Sequence, residues 1–163
     1  MKNLAKLALI AAAVTSSLAH AQAVRTEKNI SLELANQIAA AGVAACQANG
    51  YAVAVTVVDR AGITRAVHRA DNAGAHTLGA SLQKAWTSAS AKNNTLAMME
   101  IAQKNPGAAN LVNIPGFLLL GGGVPVRVGN EVIGAVGIGG APSGQIDEQC
   151  AMAALDKVKD QLK

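Results

Sequence analysis

Two of the chain's three histidines, His68 and His76, fall in one stretch, VHRADNAGAHTLGASLQKAWTSASA over residues 67–91. Arg69, Asp71, Lys84 and the single tryptophan, Trp86, lie in it too. Imidazole nitrogens can ligate metals or carry protons. Guanidinium and ammonium groups meet carboxylates. No other segment concentrates so much polar chemistry, so this stretch reads as a candidate ligand site. Other chemistries lack their residues. There is no Gly-x-Ser-x-Gly elbow, no His-Glu-x-x-His and no Cys-x-x-Cys, which removes the common hydrolase, zincin and thioredoxin signatures. The glycines at 121–123, 134, 137, 139 and 140 lack the strand–turn–helix spacing of a dinucleotide loop, and no Walker lysine follows them. They read as bends and close-packing positions.

The elements that must position this stretch follow from pattern. Ser31 is a good N-cap, and Leu32, Ala35, Ile38, Ala39, Gly42, Val43 and Cys46 recur at helical spacing up to Asn49-Gly50. Residues 51–58 form a near-continuous β-branched run, expected as a strand buried on both faces. A turn at 59–62 leads to a partner strand over 63–69. A loop at 70–75 opens a helix whose apolar face is expected to be Leu78, Leu82, Ala85, Trp86 and Ala89. A second helical piece spans 95–104, and Asn105-Pro106-Gly107 stops it. After an irregular excursion, strands are expected at 117–120, 124–128 and 131–138, then a flexible bridge and a helix over 145–162. The order α-β-β-α-α-β-β-β-α predicts an α/β chain of the α+β kind, an antiparallel sheet of about five strands flanked by helices.

Length and composition frame that reading. The 163 residues suit one domain with its own core. Aromatics make up 2% of the chain, so the core is built from small side chains and its layers can approach closely. Residues 1–21 read as a signal peptide: Lys2 and Lys6, an apolar run from Leu7 to Leu18, then Ala19-His20-Ala21 as the cleavage step after Ala21. That run is too short to span a bilayer. The mature domain, 22–163, is therefore expected to be periplasmic or secreted, without a membrane span. Without the leader, 12 basic residues face 10 acidic ones, and no dense basic face or aromatic platform suggests nucleic acid.

The ordered set of VAVTVVDRAGITRAVHRAD, AHTLGASLQKAWTSASA and PGFLLLGGGVPVRVGNEVIGAVGIGGAPSGQIDEQCA resembles the GlcG/HbpS family of haem-binding proteins. The same domain forms the C-terminal half of PduO-type proteins. The resemblance covers about 30–162 and is strongest to exported members, with Ala73-Gly74-Ala75-His76-Thr77 ahead of Lys84-Ala85-Trp86-Thr87. It implies a profilin-like sandwich, haem as cofactor, assembly into homo-tetramers or octamers, and roles in haem scavenging, storage, degradation or redox and iron sensing. It favours a binding protein over an enzyme. Two other readings stay open: a small-molecule protein using the same pocket for an organic acid or corrinoid, and a structural or sensor-partner oligomer.

The resemblance makes His76 the expected axial ligand to haem iron, a common imidazole role. At helical spacing Gly79, Ala80 and Gln83 share its face, and small residues there leave room for a flat macrocycle. A surface or capping histidine is the plain alternative. His68 is a second candidate or a solvent-facing strand residue. Arg69 or Lys84 would meet a haem propionate, and Arg69 and Asp71 would pair at the mouth. Met98 and Met99 read as core filler before soft ligands. Asp147 and Glu148 open the last helix, where acids complement the positive end, or meet a neighbouring subunit. Family members that place a ligand histidine on the first helix differ, because 31–49 has none. In a profilin-like fold the two terminal helices share one face of the sheet. That would let Cys46 and Cys150 form a disulfide in an exported chain, unless they are two buried thiols.

Overall fold

The structure, a computed structural model, describes residues 24–163; the expected leader and its cleavage after Ala21 lie outside the described residues. Helix α1 (Leu32–Gln47) starts at Ser31, whose hydroxyl accepts the Leu34 amide. Strands β1 (Ala54–Asp59) and β2 (Thr64–Arg69) form the hairpin, and the Asp59 carboxylate closes its turn by accepting the Ala61 and Ile63 amides. Helices α2 (His76–Ala91) and α3 (Thr95–Lys104) follow, then a short 3-10 turn, Ala109–Asn113. Strands β3 (Gly123–Val128) and β4 (Glu131–Gly139) lead to α4 (Gly144–Lys157), capped by the Ser143 hydroxyl.

The four strands run antiparallel in the order β2-β1-β4-β3. The β1 run is buried along its whole length, as its near-continuous β-branched sequence implies. Helices α1 and α4 cover one face, where Leu34, Ile38, Val55, Val57, Val136, Ile138 and Ala154 form the main core. On that face the Cys46–Cys150 disulfide joins the end of α1 to the middle of α4, with Cα atoms 5.4 Å apart. Its loop spans a sequence separation of 104. A cross-link of that length stabilises by about 4–5 kcal/mol in the chain-entropy account.

Helix α2 covers the other face, and its orientation corrects the sequence expectation. Ala85 and Ala89 are buried as expected, but Leu78 and Leu82 remain 42% and 40% exposed. The rest of the buried side is Thr77, Ser81, Lys84, Thr87 and Ser88. The cause lies in the strands beneath. A β-carbon added to Gly137 would stand 2.0 Å from the Ser81 carbonyl oxygen, and one on Gly123 would stand 2.3 Å from that of Lys84. Backbone lies on backbone, so no leucine fits between them. The small polar residues are satisfied locally: Ser81 Oγ shares a hydrogen bond with Thr56 Oγ1 at 2.8 Å, and Thr77 Oγ1 donates to the Gly74 carbonyl.

A second correction concerns residues 117–120, which form no strand, so the sheet has four strands and not five. Their backbone is held by side chains: the Leu118 amide donates to Thr87 Oγ1, and the Leu120 carbonyl accepts from Thr95 Oγ1. Hydroxyls of α2 and α3 thus replace ladder bonds, and among the described residues no buried side-chain nitrogen or oxygen lacks a partner. The α+β class itself stands.

The contact between α2 and β4 has a direct test. Gly137→Ala would force the helix off the sheet and should destabilise by about 3 kcal/mol or more, at the upper end for overpacking. Gly79→Ala, where the new carbon meets nothing within 4 Å, should instead stabilise by up to about 1 kcal/mol. Denaturant midpoints of the two variants check both signs.

Candidate functional site

His76 is the first residue of α2 and is exposed. No side chain caps this helix; the Thr77 amide turns back to the Gly74 carbonyl instead. The imidazole lies against Gly74, where a β-carbon would come within 2.8 Å of Cε1. Gly79, Ala80 and Gln83 continue its strip along the outer surface of α2, and the space over Gly79 is open.

The other sequence candidates separate. His68 stands opposite Val55 in the β1–β2 ladder, on the same face as Ala66 in the α1 core. Side chains alternate along a strand, so the half-buried His68 lies on the opposite side of the sheet from α2. The Arg69 guanidinium donates to the Ala73 carbonyl, holding the loop that leads into α2. It does not pair with Asp71, contrary to expectation. Met98 is buried, as a core residue would be.

Lys84 does not reach the surface as a propionate partner would. Its side chain is 1% exposed, and its ammonium donates to Asp147 Oδ2 at 2.7 Å and to the Ile138 carbonyl at 2.9 Å. Asp147 Oδ1 accepts the Ala141 amide at 3.0 Å. One ion pair therefore ties α2, the end of β4, the 140–144 bridge and α4 together. Burial raises the Asp147 carboxyl above the ordinary aspartate range, outweighing the Lys84 ammonium and the Ala141 and Gly140 amides that lower it. Sequence reasoning named Lys84 and Asp147 separately and missed that they are partners. The available signal was a lysine among the small buried residues of α2, which needs an acid from elsewhere. Glu148 faces inward to α3, accepting from Asn94 Nδ2 and the Leu96 amide.

Two recesses flank the outer strip of α2. On the α4 side His76, Ala80, Lys84, Gly140 and Asp147 border a cleft of about 210 Å³. On the β2 side lies an apolar groove, with Gly79 and Gln83 at its edge. Among the described residues no three His, Cys, Asp or Glu side chains gather as a metal cluster. A macrocycle brings four nitrogens to iron itself, so an open imidazole beside a small-residue surface fits haem better than a bare ion. No helix among the described residues is long and apolar enough to cross a membrane.

Fold and site together define an α+β sandwich whose candidate ligand surface is carried by one helix. The chain belongs to the HbpS-like family: residues 30–156 match the model described as "Haem degrading protein HbpS-like". It is 35% identical over 114 residues to Protein GlcG of Escherichia coli strain K12, covering 70% of this chain and 84% of that one. It is also similar to the crystal structure of HbpS, with TM-score 0.78 and 34% identity over 83% of this chain and 94% of that chain. The crystal structure of a PduOC:Heme complex has TM-score 0.70 and 25% identity, covering 78% and 94%.

The buried pair should show strong coupling. Lys84→Met alone strands a buried carboxylate and should cost about 3–5 kcal/mol. Adding Asp147→Asn, which keeps an acceptor for the Ala141 amide, should restore at least about 2 kcal/mol of that loss. Urea titrations of the two single variants and the double variant measure the coupling.

Proposed function

We propose that the protein is an exported haem-binding protein of the periplasm or extracellular space, acting in haem scavenging, storage or turnover. The observation that carries this reading is the exposed His76 imidazole, set at the start of a helical strip of Gly79, Ala80 and Gln83. Family membership and the likeness to the PduOC:Heme complex support it. In this reading His76 supplies the protein's ligand to iron, and Gly79 and Ala80 keep the surface flat beside it. Arg69 fixes the approach to α2 through the Ala73 carbonyl. Bound haem would supply the redox and oxygen chemistry of its iron.

A small organic acid in the α4-side cleft has less behind it. Lys84, the cation that would meet a carboxylate there, is already neutralised by Asp147. We also read the protein as a homo-oligomer. Ile63, Val112, Leu32 and Met152 are each more than half exposed, and association would cover such surface.

Haemin titration of the purified protein, followed by absorbance, tests the haem reading. A saturable Soret band is expected, and His76→Ala should weaken binding tenfold or more, by about 1.4 kcal/mol at least. An unaltered spectrum and affinity would move the ligand to His68 or a methionine. Light scattering over a range of concentrations should return a mass of several chains; a monomer mass would overturn the oligomer.

A further inference from the structure

Helix α2 packs on β1, β3 and β4 and leaves the edge strand β2 largely uncovered on that side of the sheet. A groove that His76 does not border runs between β2 and the helix. Two hollows of about 470 Å³ and 240 Å³ share Thr64 and Leu82, forming one channel. Its walls are the aliphatic side chains of Ile63, Val67, Leu78 and Leu82, each at least 40% exposed. Contiguous apolar surface of this kind marks a binding site. The channel has little to offer a polar ligand. The Thr56 hydroxyl is already shared with Ser81, which leaves Thr64 and Gln83 as its other polar side chains.

One end of the channel is chemically distinct. The Trp86 indole stands there, held between Gly62, Gly116 and the Phe117 ring, which meets it edge-on at 5.7 Å. Past the indole lies a third hollow of about 270 Å³, bordered by Arg60 and Lys92. Arg60 is paired with Glu27 and Glu131, whereas Lys92 makes no ion pair among the described residues. The Arg127 guanidinium donates to the Lys92 carbonyl at 2.6 Å. That cation answers the carbonyl end of α2, which would otherwise repel an anion. From Leu78 to Lys92 the helix rises about 21 Å, the length of an extended alkyl chain of about sixteen carbons.

We propose that this groove binds a free fatty acid, its alkyl chain along the β2–α2 channel and its carboxylate directed to Lys92. The site is separate from the His76 flank and does not depend on the haem-binding reading. A linear chain suits a channel that is long, aliphatic and without a metal ligand. Each methylene removed from water adds to affinity. One exposed cation adds little affinity by comparison and mainly sets the direction of the chain.

Calorimetric titration of the purified protein with saturated fatty acids from octanoate to myristate, each below its critical micelle concentration, tests the proposal. One site per chain is expected, tightening by about two- to fourfold per added methylene. Trp86, the single tryptophan, should report the same event as a shift of its emission to shorter wavelength. Decanoate should bind about threefold more tightly than 1-decanol, and Lys92→Gln should remove that preference without weakening the alcohol. Thr64→Phe blocks the channel where its two hollows meet, with a residue suited to a strand. This variant and Leu82→Gln, both at exposed positions, should each weaken decanoate about tenfold, with denaturant midpoints confirming that both fold. His76→Ala should leave decanoate binding unchanged. No saturable binding, an affinity independent of chain length, or binding unaltered by both groove variants overturns the proposal. A decanoate preference that survives Lys92→Gln overturns the assignment of the carboxylate. A His76-dependent Soret band with haemin, but no fatty-acid binding, refutes the groove site and leaves the haem reading standing. If fatty acids fail to bind and Leu82→Gln lowers the mass in light scattering, the groove is a contact between copies and the proposal fails.

Discussion

Helix α2 meets β3 and β4 backbone to backbone at Gly123 and Gly137, and the rest of the molecule is arranged around that contact. The absent β-carbons of Gly123 and Gly137 let the helix backbone come down onto the strands. Only alanine, serine, threonine and one lysine can occupy the side that results. The larger side chains, Leu78, Leu82 and Trp86, are turned toward β2 and solvent. A packing constraint on one face of the helix thus creates the apolar groove on another.

The same closeness accounts for the buried ion pair. The Lys84 side chain is 1% exposed, so its ammonium requires internal partners, and removing a charge from water is costly unless it is paired. Asp147 comes from the first turn of α4 and is itself held by the Ala141 amide. The pair therefore depends on the 140–144 bridge being in place, and the bridge on the pair. Across the sheet, the Cys46–Cys150 disulfide fixes the other side of α4's first turns to α1. Helix α4 is anchored to both faces of the sandwich from residues three apart, Asp147 and Cys150.

The same packing leaves two different surfaces along one helix. His76, Gly79 and Gln83 stay exposed because the sheet claims another side of the helix, with Ala80 half-buried at the boundary. An imidazole at a helix start can reach a ligand without being buried by the fold. The apolar groove lies between α2 and β2, whereas the exposed His76 imidazole borders the cleft on the α4 side.

Much of this was legible in the sequence, for local reasons. Ser31 caps α1, the β-branched run makes a buried central strand, Asp59 to Gly62 turns the hairpin, and Ser143 opens α4. Capping, branching and turn chemistry act within a few residues, so each element carries its own signal. The scarcity of aromatic residues likewise announced a core of closely approaching layers. Tertiary structure alone decided which side of α2 is buried. Helical period gives the angles between residues but not the direction of the sheet, and the glycines that set that direction lie in strands some forty to sixty residues downstream. It also decided that Lys84 answers Asp147, 63 residues away, and that His68 and His76 face opposite sides of the sheet. Residues 117–120 looked like a strand because they are apolar. Hydroxyls of Thr87 and Thr95 took their backbone hydrogen bonds, and no local pattern reports that.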